Sequence, residues 1–176
     1  MDIFRASERL MGMDDTVWAR HANPASGLTR LFAAPIVFLA AWSFFWIGLW
    51  GMVPAALACA WIWLNPRLFP PPERADSWMA RGVLGERAYL NRRRVPIPHE
   101  HARMATVATL SSVLFIVLCV VGFLRQDFWL AATGYHAAVL GKVWFVDRMA
   151  WLWDDMKSQT ELYRAWAMAD WSAHSA

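Results

Sequence analysis

From Leu31 to Leu64 the chain carries no charged side chain, and that run limits what it can fold into more than any other feature. As one straight helix it would reach about 50 Å, well past the roughly 30 Å of a bilayer's hydrocarbon core. The run must therefore double back. IGLWGMVP (Ile47 to Pro54) supplies the break: Gly48 and Gly51 loosen the backbone, and Pro54 is tolerated in the first turn of a second helix. Each arm is short for a span, so the first is expected to begin earlier, with Asn23 as cap and Pro24 at the first helical position. The second arm ends in NPRLFPPP (Asn65 to Pro72), whose prolines forbid continuation. The competing geometry is a shallow hairpin that dips into the bilayer without crossing it.

Further on, two more apolar runs are readable. Met104 to Leu124 is expected to form a third span, with Thr106, Thr109 and Ser112 on one face, and it stops at Arg125–Asp127. Phe128 to about Val146 is expected to form a fourth. The reading is thus an all-α membrane protein in one domain, 1–176, with spans at about 27–47, 50–64, 104–124 and 128–146. At about 77–94 an interfacial amphipathic segment on the membrane surface is expected, with an ordinary solvated connector as the competing reading, and a C-terminal surface helix at about 147–171 continues from the fourth span. With 58% hydrophobic residues, 13 tryptophans and a mean hydropathy of +0.27, the composition exceeds what a soluble domain carries.

Charge sets the orientation. Arg5, Arg9, Arg20 and Arg30 precede or open the first span; Arg67, Arg74, Arg81, Arg87, Arg92, Arg93, Arg94 and Arg103 lie between the second and third; Lys142, Arg148, Lys157 and Arg164 lie at or after the inner end of the fourth. Against these stands Arg125 on the far side. The imbalance predicts both termini and the connector in the cytoplasm, at the plasma (inner) membrane. Trp46, Trp50 and Trp129 would form the outer aromatic belt, and Trp61, Trp63, Trp144 and Trp151 the inner one. The net charge of +3 and pI near 9.2 do not point to nucleic acid, because the basic residues sit where topology alone puts them. Charges throughout the first thirty residues argue against a cleavable signal, so the first apolar helix is expected to be an uncleaved anchor.

The fourth span carries Gly134, Ala138 and Gly141 at the spacing that lets two helices approach closely. His136 points about 200° away from Gly134, off that seam, and asks for its own partner. Cys59 lies at a similar depth, about 12 Å in, so a thiol–imidazole hydrogen bond is one option. A neutral packing histidine is favoured over a proton or metal role, and no metal or other cofactor is expected. Cys59 and Cys119 read as small buried hydrophobes. PHEH (Pro98 to His101), with His21 and His174 on the same membrane face, lacks a defined third ligand and reads as a solvated loop. Asp14–Asp15 and Asp154–Asp155 read as polar faces, since neighbours on a helix diverge by about 100°.

The more unusual pattern is a polar inner rim contributed by four separate segments: Arg20, His21 and Arg30; Arg67; Glu86 and Arg87; Asp147 and Arg148. These arginines can bind lipid phosphates, and Glu86 and Asp147 can pair with some of them. The motifs RHANPASGLTR, WIWLNPRLFPPP, GVLGERAYLNR and LGKVWFVDRMAWLWDDM span most of the chain from about Arg20 to Met156. In them the chain resembles a family of small bacterial and archaeal integral membrane proteins classed as a domain of unknown function. The resemblance implies no substrate, cofactor or catalytic residue. The leading expectation is a multi-pass protein whose rim engages anionic membrane lipids, a membrane-protein partner or a second copy, without enzymatic chemistry. The alternatives are an inner-leaflet enzyme on a phosphate-bearing or lipid substrate, using Arg20, His21, Arg67 and Arg87, and a small transporter using His136.

Overall fold

The computed structural model of the chain describes residues 10–168. Among them every regular element is helical and no strand occurs. Arg5, Arg9, His174 and the end of the segment expected at 147–171 lie outside the described residues.

Local chemistry sets the helix boundaries. Helix α1 (Asp15–His21) opens on Asp14, whose carboxylate accepts from the Val17 amide at 2.8 Å, and closes on Arg20 and His21, which suit the negative end of the helix. Helix α2 (Pro24–Trp42) starts as the sequence predicts, with Asn23 accepting from the Ala25 amide at 2.8 Å and Pro24 in the first turn. A short α3 (Phe44–Ile47) and a 3₁₀ turn (Gly48–Gly51) then reverse the chain into α4 (Met52–Leu68). Both glycines of the break are required. Gly48 holds φ +58°, and a β-carbon on Gly51 would lie 2.6 Å from the backbone of Phe44. The two arms run antiparallel and are tied at their far end. Asn23 Nδ2 donates to the Pro70 carbonyl at 2.9 Å, Ser26 Oγ to Asn65 Oδ1 at 2.8 Å, and Asn65 Nδ2 to Thr29 Oγ1 at 2.9 Å.

Helix α6 (His99–Arg125) and helix α7 (Phe128–Met156) form a second antiparallel hairpin. Gln126 at φ 54° ends the first, and Asp127 caps the second by accepting from the Leu130 amide at 3.0 Å. The predicted small-residue seam is where they meet. Added β-carbons would lie 2.4 Å from Cys119 N at Gly134 and 2.4 Å from Ser112 Oγ at Gly141, while one on Gly122 would lie 2.3 Å from Ala131 N. Gly134, Ala138 and Gly141 are buried.

The region after Ser77 departs from expectation. Helix α5 (Trp78–Leu90), expected as an interfacial segment on the membrane surface, packs across the second half of α7 with most of its length buried. A β-carbon on Gly82 would lie 2.5 Å from Val146, and one on Gly85 only 1.8 Å from the Met149 carbonyl oxygen. Backbone contact of that closeness turns Arg81, Glu86 and Arg87 to the edges and seals Leu84 and Ala88 in the core. The tail differs too. Helix α7 runs unbroken through Asp147 and Arg148 to Met156, 29 residues or about 43 Å, and only then turns into α8 (Glu161–Met168). The continuous core sits around this extension, where Leu84, Met149, Leu152, Trp153 and Tyr163 pack together. A smaller aromatic cluster at the opposite end centres on Phe38 and Trp42.

Two helical stretches are long and apolar enough to cross a membrane, the bent Pro24–Leu68 stretch and His99–Arg125. Phe32, Ile36, Leu57, Leu110, Leu114, Val117 and Leu124 point outward from them. Helix α7 does not reach that hydropathy. It is the central helix, packed by α2, α5 and α6, and its contact faces use glycine and alanine where a lipid-facing helix would carry leucine and isoleucine.

Candidate functional site

Five of the rim residues, Arg20, His21, Arg30, Arg67 and Glu86, gather at the junction of α1, α2, α4, α5 and α7. Arg20, in the last turn of α1, donates from Nη1 to the Arg67 carbonyl at 3.1 Å. Arg67 donates to the Trp63 carbonyl and to Met11, and its guanidinium stacks 3.9 Å over the Trp63 ring. Arg30 donates from Nε to the Ser26 carbonyl at 3.1 Å, and its Nη1 lies 3.3 Å from His21 Nε2. A guanidinium has no acceptor, so His21 Nε2 accepts and the ring proton sits on Nδ1. That Nδ1 is shielded from solvent and has no hydrogen-bond partner among the described residues, while the Trp18 ring stands edge-on at 5.9 Å. Burial, then the positive charges of Arg30 and Lys142, push the His21 imidazole well below its usual pKa, which agrees with the neutral tautomer the geometry demands. Glu86 accepts from Lys142 at 2.8 Å and faces the same cluster.

The remaining rim residues lie elsewhere. Arg87 pairs with Asp15 and stacks 3.9 Å over Trp166. Asp147 accepts from the Trp78 indole at 3.0 Å and from Arg148 at 2.5 Å. Burial pushes the Asp147 carboxyl up, but the hydrogen bonds from Arg148 and Trp78 and the Arg148 charge outweigh it and hold the group below the usual carboxylate range.

The thiol–imidazole hydrogen bond that was one option for His136 and Cys59 is not formed. His136 Nδ1 bonds the Ala132 carbonyl of its own helix at 2.8 Å, with the Phe38 ring at 5.8 Å and Tyr135 at 5.2 Å. Cys59 is exposed on α4. Two motifs read as solvated do find partners: His101 bonds Asp155 at 2.7 Å, joining PHEH to the second acidic pair. Among the described residues no group of three or more His, Cys, Asp or Glu gathers as a metal site would. Trp78, Arg81 and Asp154 were missed as site residues. Their signal is the helical spacing of Trp78 with Arg81 and of Asp147, Trp151 and Asp154, which puts each set on one helix face.

The fold and the rim together define an all-helical protein with outward apolar faces and a polar cluster at the end of its apolar helices. Over residues 5–170 the sequence matches the family of unknown function DUF6653, and the chain belongs to that family. No curated protein and no solved structure matches it.

Proposed function

We infer that the chain crosses the plasma (inner) membrane four times, at about 27–47, 50–64, 104–124 and 128–146, with both termini and the connector cytoplasmic. Its inner rim engages anionic lipid headgroups without covalent chemistry. The observation that carries the reading is the cluster of His21, Arg30, Glu86 and Lys142. A neutral histidine and one carboxylate leave two cations incompletely balanced, at the level where the apolar helices end. Arg20 and Arg67 extend the positive surface along α1 and α4. An interface rich in lipid phosphate supplies the matching charge. The outward-facing apolar side chains of α2, α4 and α6 support burial in hydrocarbon, since a surface of that kind in water invites association. The aromatic and backbone partners of His136 support a packing role for that residue.

The test is an alkaline carbonate wash of membranes followed by lipid identification in native-lipid particles. The reading expects the protein to stay with the membrane and to carry anionic phospholipid enriched over the bulk composition. Release by carbonate, or a bulk-like lipid shell, would count against it.

A further inference from the structure

A cavity of about 240 Å³ opens between α5 and α7, lined by Trp78, Arg81, Ala150, Trp151 and Asp154. Pockets that enclose a whole small molecule run from roughly 300 to 1,000 Å³, so this one suits a headgroup-sized moiety.

Three properties define its ligand. Arg81 donates from Nη1 to Asp154 at 2.8 Å, which leaves the Nε and Nη2 edge of its guanidinium without an acceptor among the described residues. The Nε is shielded from solvent as well. That burial leaves Nη2 as the guanidinium nitrogen that a ligand oxygen can reach. The aromatic walls have partners of their own: the Trp78 indole donates to Asp147 at 3.0 Å, and the Arg148 guanidinium sits 5.2 Å over the Trp151 ring. Both rings are thereby positioned while the cavity stays open. Charge is the third property. Asp154 is shared between Arg81 at 2.8 Å and Lys157 at 3.0 Å, so this trio carries one positive charge in excess, while Asp147 and Arg148 cancel. The cavity also meets the first turn of α5, the positive end of a 13-residue helix.

We propose that this cavity binds a phosphodiester monoanion, with Nη2 of Arg81 on a non-bridging oxygen and Trp78 and Trp151 flanking the esterified alcohol. A phosphatidylglycerol headgroup and its acyl-free diester share this chemistry. The proposal rests on the membrane reading above only for the source of the ligand.

The experiment uses the full chain in phosphatidylcholine nanodiscs, titrated with phosphatidylglycerol and read by native mass spectrometry. A parallel arm titrates soluble glycerophosphoglycerol. Arg81→Lys keeps the charge and withdraws the Nη2 donor, and Trp151→Ala removes an exposed wall with little risk to folding. Both variants should weaken phosphatidylglycerol retention by roughly tenfold or more, with Arg93→Gln in the exposed connector binding as the wild type does. Equally tight, Arg81-dependent binding of the acyl-free diester supports the site and assigns it to a soluble ligand. Unchanged binding of both probes in both variants overturns the proposal, even if the protein resists carbonate and retains anionic lipid. Carbonate release together with Arg81-dependent binding of the soluble diester would remove the membrane reading alone.

Discussion

Gly85 of α5 rests on the carbonyl of Met149 in α7, so close that a β-carbon there would stand 1.8 Å from the oxygen. Met149 is fully buried and carries the core on its other side, so neither backbone has room to yield. Gly85→Ala should therefore cost at least the upper end of the overpacking range, about 3 kcal/mol. Thermal unfolding in detergent would show it as a large fall in Tm. A Tm within a degree of the wild type would mean that α5 does not dock on α7 in this way.

Asn65 is fully buried on α4 and holds Ser26 and Thr29 of α2 with its two side-chain functions. Thr29 loses a donor but still donates to the Ala25 carbonyl at 2.7 Å, whereas the Ser26 hydroxyl loses its acceptor when the amide is removed. Asn65→Ala should cost about 1–3 kcal/mol, and a cycle with Ser26→Ala should recover part of that cost. Strict additivity of the two substitutions would argue against a direct bond.

His21 has its pKa lowered in the fold, by burial first and by Arg30 and Lys142 after that. The unfolded chain therefore takes up a proton near pH 6.5 that the folded one refuses, and stability is lost as pH falls below about 6.5. Asp147, also held low, adds stability that persists until pH falls through the carboxylate range, so it does not confuse the window from 7.5 to 5.5. His21→Gln retains an acceptor for Arg30 and does not titrate. The drop in Tm between pH 7.5 and 5.5 should shrink in this variant. An equal drop in both proteins would mean that His21 already carries its proton.

Phe38 sits at the centre of the far aromatic cluster, against Trp42, Phe123, Phe128, Tyr135 and His136. Phe38→Ala should cost about 3–5 kcal/mol. His136 bonds only a carbonyl of its own helix, so His136→Phe should cost under about 1 kcal/mol in the same unfolding assay. Reversal of that order would give the imidazole a function that packing does not explain.

What the sequence made legible was punctuation and close approach. The Asn23–Pro24 start, the Gly48–Gly51 break, the Gln126–Asp127 boundary and the Gly134–Ala138–Gly141 seam are local devices, readable from neighbours within a turn or two. The Trp, Tyr and Arg content of α5 suggests a membrane-surface segment and does not disclose its packing against α7. The informative residues were the small ones, Gly82, Gly85 and Ala88, which weaken a helix in isolation and permit backbone contact in a core. Helix α7 was cut short at Asp147 for a related reason. Its charges look like a terminus, but Trp78 and Arg148 satisfy the carboxylate and the backbone continues. The pairings of the rim residues, such as Arg20 with Arg67 or Trp78 with Asp147, join positions far apart in the chain. No local pattern encodes those.

The central claim is a chain that crosses the membrane with its rim and connector on one side and the α6–α7 turn on the other. Single cysteines at Gln126 and at Arg93, in a background lacking Cys59 and Cys119, can be challenged in intact cells with a membrane-impermeant thiol reagent. The account predicts labelling at residue 126 from outside and at residue 93 only after the membrane is opened. Labelling of residue 93 in intact cells, or protection of residue 126 until lysis, would contradict it.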